Sequence, residues 1–84
     1  MSYRLEVDDR AARELFKLPK KATARISAAI RALGEDPRPP GVKKLTAREG
    51  YRIRVGNYRI LYVVEDDIER VRIFRIGDRK NVYQ

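Results

Sequence analysis

Between residues 51 and 76 the chain passes through three stretches in which bulky apolar residues alternate with polar ones: Tyr51–Val55, Tyr58–Val64 and Arg70–Ile76. A period of two marks a strand with one face turned to a core. Gly56-Asn57 separates the first two stretches, and glycine next to asparagine suits the shortest hairpin turn. That turn dictates a register. Val55 lies opposite Tyr58, Ile53 opposite Ile60 and Tyr51 opposite Tyr62 on the core side, while Arg54 meets Arg59 and Arg52 meets Leu61 on the other. Centring the next turn on Asp66-Asp67 sets Val71 beside Tyr62 and brings Ile73 to the core side. Arg70, Arg72, Leu61, Val63 and Phe74 then share the face of the arginines.

Upstream, residues 3 to 7 (YRLEV) alternate again and predict a first strand. Asp8 and Asp9 offer an N-cap for a short helix with Ala11, Ala12, Leu15, Phe16 and Leu18 as its apolar face. Pro19 stops that helix and suits the entry to a second, where Ala22, Ile26, Ala29, Ile30 and Leu33 recur at three-and-four spacing up to Gly34. EDPRPPGVKKL (35 to 45) reads as a rigid connection, because the segments on either side are each too small to bury a core alone. Residues 1 to 84 are thus expected to form one domain. The order β-α-α-β-β-β predicts an α+β fold, a small antiparallel sheet with two N-terminal helices packed on one face and the other face open.

Composition adds a charge to that open face. The chain has 20 Lys+Arg against 12 Asp+Glu, a formal net charge of +8, which attracts polyanions. It has no cysteine and no histidine, so a thiolate metal site is excluded and the commonest general base is absent; no metal or cofactor is expected. No apolar run approaches the roughly 18 residues that span a bilayer, and MSYRLEVDDR lacks the apolar core of a signal peptide, so the expectation is a cytoplasmic protein with no membrane partner.

Like charges directly opposite on a sheet repel, so Arg54 facing Arg59 is a local cost with no structural return. Such conflicts belong to functional sites, and a phosphate would resolve this one through bidentate guanidinium contacts. A single outward arginine is ordinary solubilising charge; the cluster is read as functional. The run IGDRKNVYQ (76 to 84) adds Arg79 and Tyr83, either as a tail folded beside the cationic face or as a capping turn with Tyr83 packed.

YRIRVGNYRILY, the later IGDRKNVY and the upstream KLPKKATARISAAIRALGEDPRPPGVKKL together resemble the RelE/ParE toxin superfamily of type II toxin–antitoxin systems, over essentially the whole chain. Within it the chain is most similar to the RelE branch, which cuts mRNA in the ribosomal A site. The resemblance implies catalytic positions at Arg52, Arg54, Arg59, Arg79 and Tyr83, although the first two are lysines in the best-known members. It further implies RNA contacts from Arg52, Arg54, Arg72, Lys43 and Lys44, and an acidic, helical RelB-like antitoxin received by Leu61, Val63 and Phe74. The implied reaction is metal-independent attack of a 2′-hydroxyl on its own 3′ phosphate. Arginine does not deprotonate usefully, so the arginines would clamp, with Arg59 foremost, and Tyr83 would be base or stacking ring, its phenol lowered by cationic neighbours. Implied partners are the ribosome and mRNA, with operator DNA reached only through the antitoxin complex. Two alternatives stand beside this reading: a ParE-like poison of DNA gyrase, and a degenerate member that only binds.

Overall fold

The computed structural model describes residues 2–78. Strand β1 (Arg4–Val7) leads into helix α1 (Asp9–Phe16) and helix α2 (Lys20–Glu35), followed by β2 (Lys43–Lys44), β3 (Tyr51–Val55), β4 (Tyr58–Glu65) and β5 (Arg70–Asp78). The five strands form one sheet in the order β1-β5-β4-β3-β2. All neighbours are antiparallel except β1, which joins β5 in parallel, so the sheet is mixed where alternation alone suggested an antiparallel one. A parallel partner needs a long crossover, and the two helices supply it.

Both helices lie against one face. Ile26, Ile30 and Leu33 of α2 and Ala11 of α1 pack with Ile60, Tyr62, Val71, Ile73 and Ile76 into the main core. The β3–β4 register is the one the sequence dictates, pair for pair, from Tyr51 opposite Tyr62 to Val55 opposite Tyr58. Gly56, the first loop residue, has φ 61° and carries the turn's left-handed conformation.

The second hairpin differs. A 3₁₀ turn at Asp66–Ile68 and a left-handed Glu69 lengthen the connection, so Tyr62 faces Ile73 instead of Val71. A shift of two residues preserves facing, and Val71 and Ile73 stay in the core. The pairing then slips by one between Leu61 and Tyr62. This bulge lets Phe74 and Arg75 both line the side away from the helices and returns Ile76 to the core opposite Ile60.

Smaller departures have local causes. Phe16, expected in the apolar face of α1, is the last residue of that helix and is 79% exposed. Gly34 does not end α2; it sits one residue inside, where its carbonyl accepts the Tyr3 amide at 2.8 Å and a Cβ would lie 3.3 Å from the Tyr3 carbonyl oxygen. Asp8 holds the N-cap position of α1, but its carboxylate receives Arg72 at 2.7 Å and makes no cap bond. Beyond the reach of β1, the Ile76 amide of β5 donates to Glu14 Oε1 of α1 at 2.8 Å, which covers part of that strand's edge.

Candidate nucleic-acid interface

The face away from the helices is neither bare nor uniformly charged. Leu61, Val63 and Phe74 form a second small core at 4%, 9% and 8% exposure, with Leu45 packed on it. The expectation that these three residues stand open on the surface is therefore corrected. They are roofed by the segment after β2, in which the Leu45 amide donates to the Gly50 carbonyl at 3.0 Å and the Arg48 guanidinium lies 3.9 Å from the Phe74 ring centre.

The arginines divide into two groups. Arg70 bonds Glu65 at 2.7 Å and approaches Glu6, Arg72 pairs with Asp8, and Arg75 with Glu14 at 3.0 Å. Arg38 grips Asp66 at 2.8 Å and donates to the Tyr51 hydroxyl, and Tyr3 donates to the same Asp66 at 2.6 Å. These cations tie elements of the fold together. The Arg38 and Tyr3 bonds hold the Asp66 carboxyl below its usual range, and Arg70 does the same for Glu65. Arg72, expected to contact RNA, thus belongs to an internal ion pair.

Arg52, Arg54, Lys43 and Lys44 form the other group. Among the described residues none of the four has a carboxylate partner. Lys43 is paired in register with Arg52 and Arg54 with Arg59, so β2, β3 and β4 set these cations side by side, while Lys44 is paired with Tyr51 and lines the adjoining cleft. Arg54 is exposed, Arg52 half-buried, and Arg59 buried at 6% opposite Arg54 and Gly77. Arg59, expected as the clamp, is thus buried, whereas its register partner Arg54 is exposed. Arg79 and Tyr83 lie outside the described residues.

A cleft of about 510 Å³ adjoins this group. Arg52, Lys44, Arg48 and Arg10 stand around it, Leu61 and Phe74 form its floor, and Arg72 and Arg75 line the far side with Asp8. Sequence reasoning missed Arg10, Arg48 and Arg75. Only Arg75 left a signal: the order Ile73-Phe74-Arg75-Ile76 interrupts strict alternation, as a bulge does. Among the described residues no three acidic, histidine or cysteine side chains are grouped to hold a metal ion, and no helix is long and apolar enough to cross a membrane.

Fold and face together define a small α+β protein that presents, among its described residues, positive charge without acid partners beside the sheet's second face. Residues 5–83 match the family model described as the ParE toxin of type II toxin-antitoxin systems. The RelE1 protein of Methanocaldococcus jannaschii is 30% identical over all of this chain and 98% of its own length. Among solved structures, the Mycobacterium tuberculosis RelBE2 toxin-antitoxin complex contains a chain of 31% identity, TM-score 0.81, covering 94% of this chain and 100% of that one. The intact Escherichia coli RelBE complex contains another of 26% identity, TM-score 0.80, covering 92% and 96%. The chain belongs to the RelE/ParE superfamily and is a toxin of the type II toxin-antitoxin class.

Proposed function

We propose that this toxin is a ribosome-dependent mRNA endoribonuclease of the RelE kind, acting in the cytoplasm. The observation that carries the reading is the division of the arginines. Those on β5 and in the 35–45 connection are bound to acids of the fold, whereas Arg52, Arg54, Lys43 and Lys44 have none among the described residues; the register sets Lys43 beside Arg52 and Arg54 beside Arg59, and Lys44 lines the cleft with Arg52. Uncompensated cations brought together cost stability, and a polyanionic strand removes that cost.

In the proposed reaction a nucleotide's 2′-oxygen attacks the adjacent 3′ phosphorus. The bond to the 5′-oxygen of the next nucleotide breaks and that oxygen takes a proton from water, leaving a 2′,3′-cyclic phosphate and a free 5′-hydroxyl. Negative charge grows on the non-bridging oxygens, where Arg54 and Arg52 act as donors, and Arg59, buried opposite Arg54, is proposed to clamp the phosphate. Tyr83 is proposed to take the 2′-hydroxyl proton and Arg79 to assist in charge stabilisation. With so few acid–base groups the site depends on alignment of the substrate, which the ribosome supplies. Little cutting of free RNA follows.

The partner is proposed to be an acidic, helical RelB-like antitoxin; that relatives were solved as toxin-antitoxin complexes supports a partner of the antitoxin class. Because Leu61, Val63 and Phe74 are buried, antitoxin contact with them requires Leu45 and Arg48 to move aside. Operator DNA is reached through that complex alone. The ParE name of the matching family model favours a second reading, a gyrase poison without nuclease activity. Primer extension on a defined mRNA, with and without translating ribosomes, separates the two. Cuts at the A-site codon only with ribosomes are expected; no cuts from folded protein, together with gyrase-dependent DNA breaks, would replace the proposal by the second reading.

A further inference from the structure

The cleft beside the hairpin contains a feature that phosphate binding does not use. The Arg48 guanidinium lies 3.9 Å from the centre of the Phe74 ring, and Phe74 is otherwise buried among Leu61, Val63 and Leu45. One side of the guanidinium is thereby occupied, while Arg48 itself is exposed and lines the cleft. The segment that carries it is pinched between the Leu45 amide and the Gly50 carbonyl at 3.0 Å, and Gly50 is buried. A guanidinium plane seated on an aromatic ring and held by an anchored turn loses little freedom when a second planar group settles on it. Lysine has no such plane. Around it stand Lys44, Arg52 and Arg10, the last within 3.7 Å of Glu14, and Asp8, the one acid among the described lining residues, is bound to Arg72. A planar ring that arrives attached to anionic phosphates is what this combination selects, and at about 510 Å³ the cleft falls within the size range of small-ligand sites, ~300–1,000 Å³.

We infer that Arg48, seated on Phe74, is the stacking platform for one base of a single-stranded RNA, with Lys44 and Arg52 taking the phosphates that flank it. The inference rests on the RNA reading for its ligand but not on cutting. Arg48 is here a binding residue and has no part in the reaction proposed above. Stacking tolerates any base, so the platform holds the strand without selecting its sequence.

The test uses the full chain and a short oligoribonucleotide that carries 2-aminopurine at one position and 2′-O-methyl groups throughout, so that it binds but cannot be cut. Fluorescence titrations at several salt concentrations compare the wild-type protein with Arg48→Lys and Arg52→Gln, with thermal melts to verify folding. Wild type is expected to bind and quench the probe. Arg48→Lys keeps the charge, so its affinity is expected to fall about tenfold with loss of quenching but an unchanged salt dependence. Arg52→Gln is expected to lower the slope of log affinity against log salt by about 0.7, the signature of one lost phosphate contact on a single strand. Arg48→Lys binding within twofold of wild type, with quenching intact, would overturn the platform, as would failure of wild type to bind the probe at low salt. The two proposals fail separately. A protein that quenches through Arg48 yet cuts nothing on ribosomes retains the platform and loses the nuclease; one that cuts, with Arg48→Lys binding as wild type does, retains the nuclease and loses the platform.

Discussion

Gly50→Ala probes the joint that holds the roof of the cationic face in place. Gly50 is buried with φ 139°, a conformation that L side chains rarely adopt. A Cβ at this position would lie 2.8 Å from the Tyr62 carbonyl oxygen, 3.2 Å from a Leu45 methyl carbon and 3.5 Å from Val63. The first contact is with backbone in the central strand β4 and cannot be relieved by a rotamer change. The backbone conformation alone costs about 1–3 kcal/mol for alanine, and overpacking against a fixed neighbour about 1–3 kcal/mol more. A combined loss of about 3 kcal/mol is a large share of the total for a domain of this size, and corresponds to a fall in Tm of at least about 12 °C. Gly41 provides the comparison: its φ is 90° but a Cβ there meets nothing within 4 Å, so Gly41→Ala bears the backbone cost alone. Urea unfolding followed by circular dichroism measures both variants. The difference between them, about 1–3 kcal/mol, isolates the steric part. A Gly50→Ala protein no less stable than Gly41→Ala would refute the packing described for this joint. If the roof lifts without global unfolding, the variant will also bind a hydrophobic dye, as Leu61, Val63 and Phe74 become accessible.

Other substitutions test the polar scaffold. The Tyr62 hydroxyl donates to the Pro37 carbonyl at 2.7 Å, and Tyr62→Phe should cost about 1–2 kcal/mol at neutral pH by leaving that carbonyl without its donor, which urea melts will show. Burial, and then the neighbouring Tyr51, hold the Tyr62 phenol above its ordinary range; its contribution is complete below the unfolded value near ~10 and is lost as pH rises beyond it, so wild type should weaken above pH ~10 more than Tyr62→Phe does. Asp66 behaves in the opposite sense. With its carboxyl lowered first by Arg38 and then by Tyr3, it stabilises the fold above the unfolded value near ~4 and loses that contribution as pH falls through the depressed one; Asp66→Asn should flatten the acid limb of the stability curve measured by urea midpoints from pH 3 to 7.

Much of this architecture was legible in the chain because its signals are local. Gly56-Asn57 flanked by alternating residues dictates the β3–β4 pairing, and the stripe Ile26, Ile30, Leu33 dictates the buried face of α2. What escaped reading depends on contacts distant in sequence. The parallel docking of β1 on β5 has no local mark, and β2, only two residues of lysine, is a strand because Tyr51 and Arg52 lie beside it. The bulge at Leu61/Tyr62 was half visible in the broken alternation after Ile73, yet its effect, a buried Phe74 under Arg48, depends on a connection whose path the prolines and glycines do not specify. The candidate site shows the same division. Register brought Arg52, Arg54 and Arg59 together on paper, but only the fold distinguishes Arg72, which is bound to Asp8, from Arg54, which is exposed and without an acid partner among the described residues.

That distinction is the central claim, and ribosome-dependent cutting by charge variants tests it most directly. Arg54→Gln, Arg52→Gln and Arg70→Gln are compared by primer extension on the same translated mRNA, with protein concentrations matched by folded fraction. The account predicts that Arg54→Gln and Arg52→Gln each reduce A-site cutting by about 10²-fold or more, as loss of a donor to a developing oxyanion does. Arg70→Gln, which breaks only the pair with Glu65 and Glu6, should cut as wild type does. Equal losses from all three, or a loss confined to Arg70→Gln, would contradict it.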